Sequence, residues 1–239
     1  MRLRIRRRIK SPSKAWTKFK KNLKDIYRLL EIHEHLGGTG RGRRYGLEVI
    51  NKSAVILLCA IWEAYVEDLA DESFIFLINN SKHASDIPQK VLVKVSKRLI
   101  EKEDKTKIWR IADDGWKEEL ANYKTDILKK YLGRFHSPKS DNIDGLFEDL
   151  LGKKRISSDW NWPHRTADSS REQLDEFVTL RGELAHRSTA LSTIRKPQIE
   201  ESMNFVRRLG VKMNNTCCTY LENKTGKPPW AKLKFGLTK

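Results

Sequence analysis

The chain has 239 residues, 33% charged and 38% hydrophobic, with a formal net charge of +17 at pH 7. That length can bury a sizeable core without requiring a second domain, and the low apolar share suits long helices with solvated outer faces. Alternating apolar–polar patterning is almost absent, which argues against an all-β architecture, and the excess charge favours a polyanionic partner over solubility alone.

About two-thirds of that excess lies before residue 48. Met1–Lys10 (MRLRIRRRIK) is a cationic arm without the apolar core of a signal peptide. Ser11-Pro12-Ser13 starts a helix carrying Trp16, Phe19, Leu23, Ile26 and Leu30 at steps of three or four, out to about Leu36. Arg28, His33 and His35 are assigned to its polar face. Gly37–Gly46 (GGTGRGRRYG) is a basic loop with no preceding strand and no GK[ST] ending, so it is not a nucleotide P-loop. Its Arg41, Arg43 and Arg44 are candidate contacts to a nucleic-acid backbone, or else solubilise the loop.

Leu47–Asn79 reads as one long central helix, with Ile50, Ala54, Leu57, Leu58, Ile61, Tyr65 and Leu69 inward. Its most apolar run, Ala54–Ile61, is too short and too closely bounded by charge to span a bilayer, so no membrane association is expected. Glu63, beside Trp62, either has a partner in a desolvated setting or sits at a solvated rim. A helix from Pro88 to about Glu103 follows, then one over 117–132, then a short helix capped by Asp141 or Asn142 and ended by Gly152. In Ser157–Pro163 (SSDWNWP), Trp160 and Trp162 either stack on bases or close the open end of the bundle; the second reading is favoured.

Ser169 or Ser170 should cap the next helix, whose stretch QLDEFVTLRGELAHRS runs over 173–188. Leu174, Val178, Arg181 and Ala185 form its apolar stripe, widened by Leu180 and Leu184. Arg181 and His186 pair a permanent cation with an imidazole that titrates near neutrality, a combination suited to cleaving a phosphodiester without metal. The same R-x4-H spacing recurs at Arg28 and His33, so context separates the copies: the first lies on a helix among like charges, the second on a stripe of core residues. Arg187 follows the motif as a further candidate contact to nucleic acid. The last helix runs to about Asn223, with an extended basic tail over 224–239. The Cys217–Cys218 pair has no ligand at zinc spacing, no cofactor is expected, and three cysteines suit a reducing cytoplasm.

The order of VILLCAIWEAYVEDLA, FHSPKSDNIDGLFEDLLG, SSDWNW and LDEFVTLRGELAHR over about residues 47–220 resembles the HEPN superfamily, closest to its RiboL-PSP-like branch. The resemblance implies an all-α, HEPN-like bundle over 47–223 around the long central helix, preceded by the arm, first helix and loop of 1–46. It further implies a homodimer with paired R-x4–6-H motifs, metal-independent endoribonuclease activity on RNA with Arg181 and His186 catalytic, and a toxin or antiviral-defence role with a cognate antitoxin or defence partner. Gly182 departs from the polar residue usual after the motif arginine; some members that depart from the motif bind without cleaving.

Overall fold

The computed structural model describes residues 11–37, 46–100, 106, 109, 111–113, 115–132, 137–186 and 194–236. Among them are seven α-helices: α1 (Lys14–Gly37), α2 (Glu48–Asn80), α3 (Gln89–Ile100), α4 (Gly115–Leu132), α5 (Ser140–Leu151), α6 (Ala167–His186) and α7 (Lys196–Thr225). Two short 3-10 turns, Ala84–Asp86 and Ile156–Asp159, link them, and no strand occurs among the described residues. The protein is all-α, as its composition predicts.

α2 is the axis of the bundle, with α1, α4, α5, α6 and α7 packed around it. Trp62, Tyr65, Leu69, Phe74 and Leu77 are fully buried along it, whereas Ile50 and Leu57, both expected inward, are only half-covered. α1 belongs to the same continuous core. Its buried ladder of Trp16, Phe19, Leu23, Ile26 and Leu30 continues one step further to His33. His33 is therefore not on the polar face assigned from sequence; it extends the three-and-four rhythm inward, while Arg28 is exposed.

The N-terminus of α1 is held by complementary acceptors. Ser13 Oγ accepts from the Trp16 amide at 3.1 Å, and the Glu72 carboxylate accepts from the Lys14 and Ala15 amides at 3.0 and 2.9 Å. At mid-bundle Phe19 and Tyr65 meet at 4.5 Å between ring centroids, and Tyr65 Oη donates to the Gly210 carbonyl at 2.7 Å. A Cβ on Gly210 would lie 2.9 Å from the Trp16 ring, so the missing side chain lets α7 close on this aromatic layer.

After α7 the chain is extended but not loose. Trp230 is buried, its indole N–H donating to the Asn214 carbonyl at 3.1 Å, and the Ala231 amide donates to the Ser11 carbonyl at 2.9 Å. Asn215 exchanges hydrogen bonds with the Leu233 backbone at 2.7 and 2.9 Å. In AKLKFG, Lys232 and Lys234 are exposed and Leu233 and Phe235 half-buried, as a packed extended strap requires. α2 is also long and apolar enough to cross a membrane, with an 18-residue window of mean hydropathy 1.5, half of it buried inside the bundle.

Candidate functional site

α6 carries the R-x4-H motif, and its first two turns fix its direction. Its cap is Thr166, whose Oγ1 accepts from the Ser169 amide at 3.1 Å, not Ser169 or Ser170 as expected; Asp168 adds negative charge to the first turn. Arg171 then reaches across to α5, donating to Asp144 and Asp141 at 2.6 Å each and contacting Ser157 Oγ. Asp144 also accepts from the Ser157 amide at 2.8 Å and the Ser157 hydroxyl at 2.6 Å. Burial lowers the guanidinium pKa, but hydrogen bonds to Asp144 and Asp141 outweigh it and raise the value overall.

One turn later, Asp175 accepts from the Ser140 amide at 2.8 Å and its hydroxyl at 3.0 Å, anchoring the start of α5. Of these groups the sequence singles out only Asp141, as a cap of α5; the cap position is instead Lys139, without a side-chain hydrogen bond, and Asp141 pairs with Arg171. The available signal was Asp144, a carboxylate spaced among the apolar positions Ile143, Phe147 and Leu151, which requires a partner there.

With α6 held at its start, its inner face packs on α2 through Leu174, Phe177, Val178 and Leu184. Ala185, expected on that stripe, is exposed; Phe177 takes its place, shifting the face by part of a turn. Arg181 is half-buried on the edge of this contact. It lies within electrostatic reach of the buried Cys59 thiol, as does Glu63. Burial raises the Cys59 pKa to about 12, with Arg181 pulling down and Glu63 pushing up. Arg181 and Glu63, two of the three residues expected from sequence at a catalytic site, thus both act electrostatically on one thiol of α2, Glu63 from one turn along the same helix.

His186 is the final residue of α6, and its backbone ends the helix. Its side chain lies outside the described part of the structure, as do Arg187 and the loop residues Arg41, Arg43 and Arg44. Chain beyond that gap returns to the same neighbourhood: Asn51 Nδ2, near the start of α2, donates to the Ile194 carbonyl at 2.8 Å.

Two further features bear on this site. Gly182 is half-buried, and a Cβ there would meet nothing within 4 Å, so packing inside one chain does not require glycine. α2 itself has an apolar, small-residue face that is partly open among the described residues: Val49, Ser53 and Ala60 are exposed, and Ile56, Leu57 and Ala64 half-covered. Glu67, one turn beyond Glu63, has its pKa raised to about 7, chiefly by burial and then by Glu63 and Asp68, with Lys18 opposing. Cys217 and Cys218 are buried thiols, with Cys217 pushed up to about 12. Among the described residues no cluster of three or more His, Cys, Asp or Glu side chains could hold a metal ion.

No curated protein and no solved structure matches the chain. A protein-family comparison does match, over residues 20–219, which takes in most of α1 and nearly all of α7 as well as the motif helix. On that match, and with the helical architecture described above, the chain belongs to the RiboL-PSP-HEPN family.

Proposed function

We propose that the protein is a metal-independent endoribonuclease of HEPN type whose reactive centre is completed by a second copy of the chain. The carrying observation is Arg181, half-buried on the motif helix and, like Glu63, within electrostatic reach of Cys59 on α2. Five residues along a helix turn the chain by about 500°, which leaves positions 181 and 186 about 140° apart and about 7.5 Å along the axis. One straight helix cannot aim both side chains at one phosphate. A two-fold axis across the open face of α2 brings Arg181 of one protomer toward His186 of the other.

In the proposed reaction the 2′-oxygen of RNA attacks the adjacent phosphorus and the bond to the 5′-oxygen breaks, leaving a 2′,3′-cyclic phosphate and a 5′-hydroxyl. His186 takes the 2′-hydroxyl proton or delivers one to the leaving 5′-oxygen. Arg181 stabilises charge developing on the phosphoryl oxygens, and Glu63 positions the arginine or the imidazole. The family and the cationic surface support a role in the cytoplasm as a toxin or defence effector, restrained by a partner protein.

Incubation of the purified protein with labelled RNA in EDTA is the test. Cleavage with cyclic-phosphate ends, lost in His186→Ala, is expected; no cleavage, or cleavage unchanged in that variant, refutes the nuclease. Gly182, in place of the usual polar residue, supports a second reading, a catalytically silent module that binds RNA or a partner protein. That reading gains if RNA binds but stays intact and the protein is not toxic on expression.

A further inference from the structure

The tryptophan pair of the loop before α6 divides into two roles. Trp160 is fully buried and closes the bundle, whereas Trp162 is half-exposed on a different surface. Its ring faces two cations: the Arg165 guanidinium at 5.7 Å from the centroid and Arg208, from α7, also at 5.7 Å. Arg208 lies as well 4.4 Å from the ring of Phe235 on the C-terminal strap, so one guanidinium joins two aromatic faces. Among the described residues Arg208 has no carboxylate within ion-pair distance.

A groove of about 310 Å³ opens on this stack, with Trp162, Arg208, Lys212, Phe235 and His164 on its walls and no acidic side chain among its lining residues. It shares Val211, Lys212 and Phe235 with a second, more polar groove of about 640 Å³, to which Asn215, Thr216 and the Lys153–Asp159 ion pair at 3.3 Å contribute. The backbone supports the same surface. Trp162 and Arg165 exchange amide–carbonyl hydrogen bonds at 3.1 and 2.9 Å, closing a tight turn over Pro163 and His164. His164 takes φ +66°, the left-handed position of such a turn that favours glycine, and its side chain is exposed at the groove.

We propose that this groove is a binding site for single-stranded RNA, separate from Arg181 and His186, in which an unpaired base stacks on the Trp162–Arg208–Phe235 layer. Lys212 and Arg165 then neutralise the flanking phosphates, and the polar groove receives the next nucleotide. Bases in a duplex are already stacked on one another and cannot offer a free face to these rings, so the site selects single strands. The inference stands on its own residues and does not need the chain to cleave.

The test uses the full-length chain carrying His186→Ala, so that RNA survives, and a fluorescent 12-nucleotide oligouridine with one 5-iodouridine. Anisotropy should show binding that weakens about 5- to 150-fold in Trp162→Ala, the range for losing one stacked base, and little in Trp162→Phe. Lys212→Ala, which removes a phosphate contact, should also lower the slope of log affinity against log salt by about 0.7. His164→Gly is the decisive variant, because it relieves the turn: thermal stability should hold or rise while affinity falls.

Photocrosslinks should map to peptides containing Trp162, His164 or Phe235. Crosslinks confined to residues 1–46, affinities unchanged in all the variants, no binding by the parent, or equal binding of duplex RNA would each overturn the proposal. A chain that crosslinks here but never cleaves refutes only the nuclease reading; one that cleaves but crosslinks elsewhere refutes only this site.

Discussion

Gly182→Ala separates the demands of one chain from those of a pair. Within the protomer the added methyl meets nothing within 4 Å, so no steric penalty opposes the gain in helix propensity. That gain is about 1 kcal/mol in a helix interior, which for a chain of this size raises the melting temperature by about 2–4 °C. If α6 meets its symmetry mate near Gly182, each new methyl intrudes on the partner. Overpacking of a close contact costs about 1–3 kcal/mol, a five- to 150-fold weaker dimer. Urea unfolding at concentrations where the protein is monomeric measures the first quantity; sedimentation equilibrium measures the second, and cleavage in EDTA should fall with dimer content. A variant that is stabilised yet dimerises and cleaves like the parent would remove position 182 from the interface. A destabilised monomer would refute the assignment of open space around it.

Four other outcomes follow from the same geometry. If Arg181 and His186 act across a two-fold axis, equal mixing and reassembly of Arg181→Ala and His186→Ala chains should restore about a quarter of parental cleavage, since half the dimers are mixed and each holds one intact centre of two; no recovery would place both residues in one chain's centre. Trp160→Ala empties a fully buried site and should cost about 3–5 kcal/mol in denaturant unfolding. Glu67 has a folded-state pKa raised to about 7, so the fold favours its neutral form and its contribution to stability is full below the ordinary glutamate range and lost as pH rises through 7. The stability advantage of Glu67→Gln over the parent should therefore grow between about pH 4.5 and 7 and then level off; a pH-independent difference in urea midpoints would refute it. All three thiols should resist a disulfide reagent in the native protein and react on unfolding; rapid native labelling would contradict their burial.

α1, α3 and α5 are readable because each alternates buried and solvated residues with a strong period, and the long span of α2 because it is largely apolar and no proline or glycine interrupts it. What the period could not supply was phase and partnership. Ala185 lies outside the contact because Phe177 and Leu184 set the buried face of α6, a shift that an apolar residue at a plausible spacing conceals. His33 is inward for the converse reason: a titratable side chain at a core position still obeys the packing ladder. Arg181 and Glu63 stand out in the sequence, whereas Arg171, Asp144 and Asp175, which aim α6, do not, because their partners lie up to 35 residues away and short-range patterns do not register them. The tryptophans of 157–163 were weighed as a unit, and only three-dimensional placement separates Trp160 from Trp162.

The strap after α7 also closes a seam with the segment that precedes α1. The Ala231 amide bonds the Ser11 carbonyl, and Asn214, fully buried, accepts from the Ser13 hydroxyl at 2.7 Å beneath the same strap. Residues 11 and 231 are therefore neighbours, and a short glycine-rich bridge could splice the chain across this seam while new termini are opened elsewhere. Such a rewired chain would show whether closing this seam by a bond leaves the rest of the bundle unaltered.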